Sequence, residues 1–575
     1  MLKADLVFYN GEVLAMDGDW PGAEIHPRDS VAVADGAVVF PGDDGWKALC
    51  GPSTEAVDLK GGAVIPGLVD AHLHPLWGAR TISGNSLGYE PLGVEATLDR
   101  LRGLLAKDPG GPDELMTVRC WERHGGADLT SDDLEMLGTQ RPVVLFSGDC
   151  HTAVLNRRAM FIYREFTEGG ACLGGRSLVG PSGPSGVLED GPAMRLNDEL
   201  SRAELRATAE TLRKGLKALN SQGVTSVMDA RATVDALNAA QLLWEYDDLT
   251  VRYSGAWEIL PSDCPSPVAA MGAVSDAYRR LRRFRRGLES PEPGHGGWRP
   301  GIRMSHLKFF VDGMPGYGTA RLRTPYLAVR DGTGGTSAVP VGDGRGNAYF
   351  DAATLSALFL AAGEHGLHPH CHAIADGALD LVLDASAAMR RRFPDVDLRP
   401  AAAHLDMVAE DQYARMRELG VAAVLSFQWA GYTPEHVGEA LAMFGPERMP
   451  GLETHGRFLD AGVVAAYGSD WPVECLDQWG NFQAGATRRM SGVPEGLSPR
   501  LGNDRDLTLM EILYAATRAS AWVLGMEATV GRLAEGLPAD LAVIEGPLLS
   551  RDPVAIKDTR VKRTLVGGRT VWRAE

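Results

Sequence analysis

"GLVDAHLHP", from Gly67 to Pro75, decides how the chain is read. It ends a run of small apolar residues with two histidines spaced two apart, His72 and His74. Successive strand side chains point to opposite faces, so residues two apart share a face. Both imidazoles then point the same way, as two neighbouring ligands of one metal ion must. The alternative is a hydrogen-bonded pair of core histidines. Imidazole is the commonest zinc ligand, which favours metal at a strand end.

Downstream of this strand, amphipathic helices alternate with apolar strands. "SRAELRATAETLRKGLKALNSQG" precedes "VTSVMDA", and "DAATLSALFLAAGEHG" precedes "LHPHCHA". The same order recurs in "AEDQYARMRELG" with "VAAVLSF" and in "FLDAG" with "VVAAYGSD". Helix-to-strand alternation indicates parallel strands with crossover helices. The expected class is α/β, a (β/α)8 TIM-like barrel over residues 66–525, with residues 78–200 as an inserted subdomain. Residues 313–349, rich in Gly, Pro and Thr, read as a long loop, either functional or disordered.

Both chain ends have a different style. Residues 1–65 and 526–575 alternate short apolar runs with Asn-Gly, Asp-Gly and Gly-Gly turns. They are expected to form one small β-sandwich domain together, since chain ends often lie close.

Composition narrows the partners. The formal net charge of −18 argues against a nucleic acid or an anionic membrane. No apolar run is long enough for a membrane span, and the N-terminal stretch has acidic residues where a signal peptide would be apolar. The seven cysteines are scattered, without a C-x-x-C pair, and read as reduced thiols. A cytoplasmic enzyme for a small molecule is the expectation, with a homodimer as the commonest closed assembly.

Catalytic groups of a barrel lie at the C-terminal ends of its strands. Besides His72 and His74, polar residues end four more apolar runs. Lys308 stands in "MSHLKFFVDG" and is the only lysine between Lys217 and Lys557. Elsewhere in that span every cationic side chain of this type is Arg, so position 308 requires an amine. Burial favours a neutral amine, which can add CO₂ to form an anionic carbamate; Arg cannot. A salt bridge to Asp312 is the simpler alternative. His368, His370 and His372 share one strand face, and His372 lies nearest the barrel mouth, with His370 one layer deeper. His404 ends "RPAAAHLD", and Asp470 ends "VVAAYGSDWPV", as a ligand and proton carrier or as a turn cap. A nitrogen-rich set with few carboxylates suits zinc or iron rather than magnesium or calcium. A carbamate bridge would allow two ions ~3.5–4 Å apart.

These motifs resemble the amidohydrolase superfamily, and within it the YtcJ-like group that includes N-substituted formamide deformylases. "VIPGLVDAHLH", "LKFFVDG" with "GTARLRTPY", "HAIADGALD", "AAHLDMV" and "GSDWPV" carry the resemblance over nearly the whole chain. "GDCHTAVLNRRAM" and "GPSGVLED" carry it through the insertion. The resemblance implies one ion on His72, His74 and Asp470, a second on His372 and His404, and carboxylated Lys308 between them. It implies hydrolysis of a non-peptide C–N bond by activated water, with Asp470 moving the proton to the leaving nitrogen. His151 would contact the substrate carbonyl or hold the loop. Decarboxylation, or hydrolysis of an ester or cyclic amide, is the alternative on the same scaffold.

Two departures stand out. Ala375 and Gly377 occupy positions where the resembling pattern has Gly and Arg, and Cys150 stands beside His151. Trp77, Trp121, Trp429, Trp471 and Trp479 lie near motifs or loops that could wall an apolar pocket.

Overall fold

A computed structural model describes residues 3–18, 27–40, 45–123, 128–167, 175–180, 183–286, 299–330, 336–337, 343–493 and 495–575. Eight parallel strands form its central sheet: β1 (Leu68–Leu73), β2 (Val224–Asp229), β3 (Arg252–Glu258), β4 (Ile302–Phe310), β5 (His368–Ala373), β6 (Ala401–His404), β7 (Ala422–Leu425) and β8 (Ala465–Tyr467). Each pairs with the next in chain order. Helices on the connections complete a (β/α)8 barrel. In the helix Leu205–Ser221 the buried residues include Leu212, Leu216 and Leu219, at helical spacing. Asp351 caps the helix Ala352–Glu364 by accepting from Thr354 N at 2.8 Å.

The seam between β8 and β1 closes just beyond β8. Asp470 N donates to the His72 carbonyl at 2.7 Å, and His74 N donates to the Trp471 carbonyl at 2.8 Å. The buried Asp70 carboxylate adds two bonds across this seam, accepting from Ser469 N at 3.0 Å and Gln478 Nε2 at 3.0 Å, and a third within its own strand from His72 N at 3.2 Å. Gly468 permits the approach: a Cβ there would fall 2.6 Å from His72 Cβ.

One end of the barrel is packed shut. Ala519, Ala521 and Val523 cluster with Val69, Ala71, Ala403 and Ala466. His306 Nε2 donates to the Val523 carbonyl at 2.9 Å. Small residues dominate β6 to β8, which leaves room for imidazoles at the other end.

Both chain ends build one further eight-stranded sheet. Ala63–Pro66 pairs antiparallel with Leu541–Ile544 and parallel with the far half of Leu6–Val13. Residue 67 then leads directly into β1. The insertion after β1 carries a third sheet of six strands, in which Thr152–Leu155 pairs antiparallel with Gly183–Glu189. The six described cysteines are free; Cys172 lies outside the described residues, as does part of the 313–349 loop. Among the described residues no helix is long and apolar enough to cross a membrane.

Candidate metal centre

At the open end of the barrel, the polar strand ends converge. Asp470 Oδ1 lies 3.3 Å from His74 Nε2 and 3.5 Å from His72 Nε2, and Asp470 Oδ2 lies 3.8 Å from His404 Nδ1. One ligand atom each from His72, His404 and Asp470 fall within 4.8 Å of one another. Lys308 Nζ is 3.5 Å from His72 Nε2, and the His372 and His404 rings are 4.4 Å apart. His372 Nε2 donates to the Gly313 carbonyl at 3.4 Å, so Nδ1 keeps its lone pair. All six side chains and His151 line one recess of about 30 Å³.

Local backbone serves this convergence. His404, with φ of 83°, and Asp470, with φ of 54°, adopt the left-handed region that non-glycine residues rarely enter. The turn at each strand end brings the side chain over the barrel mouth.

The electrostatics favour lone pairs over protons. Burial first, then the neighbouring Lys308 and histidine charges, holds His72, His372 and His404 well below the usual imidazole range. Burial likewise pushes the Lys308 amine down to about 8. Two buried atoms, His404 Nδ1 and Asp470 Oδ1, have no hydrogen-bond partner among the described residues. Neutral nitrogens, one carboxylate and two unsatisfied acceptors at one point fit a divalent cation.

Further side chains hold the ligands in place. His370 Nε2 lies 2.8 Å from His72 Nδ1, so the deeper imidazole orients the ligand. Buried Asp312 accepts from Ile374 N at 3.0 Å and from Arg321 N at 2.9 Å, beside His372. Burial raises Asp312 to about 8 and Asp70 to about 6.

The insertion delivers His151. The Thr152 to Glu189 register places His151 and Asp190 side by side, with His151 Nδ1 2.8 Å from Asp190 Oδ1. Asp190 also accepts from Thr319 Oγ1 at 3.1 Å, and Tyr317 donates to Asp149 at 2.7 Å. The long loop therefore locks the insertion to the barrel. Burial opposes a charge on His151, but the Asp190 hydrogen bond and carboxylate outweigh it, and the imidazole is held above its usual range. Cys150 turns away into a separate small hollow with Trp77 and Arg119, where burial raises its thiol.

A family model described as "Amidohydrolase family" matches residues 55–572. The chain belongs to the amidohydrolase family. Among relatives of this family member, the putative amidohydrolase YtcJ of Bacillus subtilis is 24% identical, covering 91% of each chain. The N-substituted formamide deformylase of Arthrobacter pascens is also 24% identical, over 98% of this chain and 97% of its own. A solved structure of an uncharacterized metal-dependent hydrolase from Pyrococcus horikoshii shares the fold, with a TM-score of 0.66 at 19% identity, over 96% of this chain and 99% of that one.

Beyond the recess this amidohydrolase opens into a cavity of about 450 Å³. Asp149, Met314, Trp429 and Val473 line both spaces and form the neck between them. Trp121 and Trp429 wall the cavity, and Trp429 stacks on His404 with ring centroids 5.3 Å apart. Trp77 lines the recess instead. Trp471 and Trp479 are core residues, 1% and 2% exposed, and form no part of the wall. The departure at Gly377 has a packing cause: a Cβ there would lie 2.7 Å from the Arg321 carbonyl oxygen.

Proposed function

We propose that the protein hydrolyses a non-peptide C–N bond, that of an N-substituted amide or formamide. The observation that carries this reading is the joining of two spaces. A cation-binding set of His72, His74, Lys308, His372, His404 and Asp470 sits at the foot of a largely apolar cavity sized for a small molecule. The N-substituted formamide deformylase among the relatives supports the substrate class.

His72, His74 and Asp470 would hold one ion, and His372 and His404 a second, with Lys308 as a carbamate between them. A divalent ion there, zinc by the nitrogen-rich donor set, acidifies water and polarises a carbonyl. Asp470 faces that position with an unsatisfied oxygen and takes the proton of the attacking water. It then returns the proton to the leaving nitrogen, which becomes a neutral amine. His151, kept protonated against Asp190, donates to the carbonyl oxygen as negative charge builds there. Trp429 and Val473 line both the cavity and the recess, on the path to the reacting bond.

Metal analysis of the protein as purified, with a screen of formamides, N-acyl amines and carboxylic acids for released amine, ammonia and CO₂, tests this reading. Bound zinc or a related ion and release of an amine are expected. A protein that binds no ion and gains no activity from added zinc or manganese would overturn it. Release of CO₂ alone would replace hydrolysis by decarboxylation.

A further inference from the structure

The large cavity has a second character beside its apolar wall. Asp406, Glu453 and Glu474, from three separate segments, all line it. Among the described lining residues the one permanent cation is Arg123, and its guanidinium is already paired with Asp128 at 2.6 Å and Glu189 at 3.1 Å. Arg488 lies near Glu453 but behind the wall. It is 1% exposed and donates to the backbone carbonyls of Glu453 and Leu501. Glu453 is itself 1% exposed, with His455 Nε2 3.2 Å from its Oε2, whereas Asp406 and Glu474 face the cavity without a cation of their own inside it.

Two unsatisfied acceptors point to a missing donor. Gln428 lines the same cavity and is 7% exposed. Its Nε2 donates to the Ser469 carbonyl at 2.7 Å, and its Oε1 is buried with no partner among the described residues. Asp406 Oδ1 is in the same condition. A buried acceptor left unmet costs about 1–3 kcal/mol, and a ligand N–H would remove that cost. The field agrees with the geometry: burial, with Glu122 and then Asp470 nearby, raises Glu474 to about 7. An entering positive charge would relieve that repulsion.

We propose that the substrate carries, on an apolar stem, a nitrogen cation that keeps its N–H groups, an ammonium or amidinium held by Asp406, Glu474 and the Gln428 carbonyl. This names the substrate class of the hydrolytic reading and rests on it. The stem lies along Trp429 and Met443, with the scissile bond through the neck.

The test pairs isosteres that differ only in charge. Benzamidine and benzamide are titrated calorimetrically into the protein as purified, which needs no turnover. The formamides of para-aminomethylbenzylamine and para-ethylbenzylamine are then compared as substrates. Benzamidine is expected to bind at least about tenfold more tightly, from charge-assisted hydrogen bonds, and the aminomethyl substrate to be preferred to a similar degree. Glu474→Gln, at a side chain exposed within the cavity, should shrink both preferences severalfold. Equal or weaker binding of benzamidine would overturn the cation site even if both formamides are hydrolysed. Tighter benzamidine binding without hydrolysis of either formamide would sustain the cation site and overturn the hydrolytic reading instead.

Discussion

His370 Nε2 stands 2.8 Å from His72 Nδ1, between two imidazoles that are both fully enclosed. Burial keeps both rings neutral, so one must donate and the other accept. With His72 Nε2 turned to the ion, the proton belongs on His72 Nδ1 and His370 accepts it. Removing the acceptor in His370→Ala should weaken metal binding by about 10–100-fold, read by competition with a chelator. His370→Gln, which keeps a carbonyl acceptor, should lose less. Equal losses in the two variants would show that the ring fills space and orients nothing.

Lys308→Ala should strip most bound metal and most activity. Short-chain carboxylic acids, which can place an anionic oxygen where the carbamate would lie, should restore part of both. Arg keeps the charge but forms no carbamate, so Lys308→Arg should stay inactive with or without the acid. Full activity in Lys308→Ala would remove the carbamate from the mechanism.

Gly468→Ala tests the seam. The added methyl would press against His72 Cβ from 2.6 Å. Forced overpacking of this kind costs about 1–3 kcal/mol. The expected result is a lower urea midpoint together with weaker metal binding, because the displaced residue is itself a ligand. A variant that loses stability but binds metal normally would show that the seam yields without moving His72.

Acid should destabilise the fold through His368. Burial, then the charges of Arg399 and Arg303, lowers this imidazole to about 4 from its ordinary 6.5. Between those values the unfolded chain binds more protons than the folded one, so stability rises with pH across the window. The contribution is complete above pH ~6.5 and is lost as pH falls toward ~4, for a total of about 3 kcal/mol at most. Urea midpoints at near-neutral and acidic pH, for the native chain and for His368→Gln, measure it. An undiminished acid loss in the variant would assign the effect to other groups.

The barrel was legible because helix and strand periods alternate so regularly, and the strand-end residues because each is a polar side chain closing an apolar run. Asp70 had the same signal, a carboxylate inside "GLVDAHLHP", yet it serves the Ser469 amide and the Gln478 side chain across the seam, which no local pattern announces. Asp190 was hidden for another reason. It meets His151 only through the pairing of two strands separated by a long excursion, 39 positions apart in sequence. The acidic cavity wall was equally invisible, since Asp406, Glu453 and Glu474 follow different strands and are gathered by the closed ring alone. Of the five tryptophans near motifs, Trp471 and Trp479 proved to be core because adjacency along the chain does not fix which way a ring points.

The last joint of the ring is tied by residues 70, 72, 74, 469, 470 and 471, and three of these are candidate ligands. An occupant that draws His72, His74 and Asp470 inward also tightens that clasp. Loading the centre and stiffening the whole ring would then be one event, with amide exchange at the joint slowing as the ion binds.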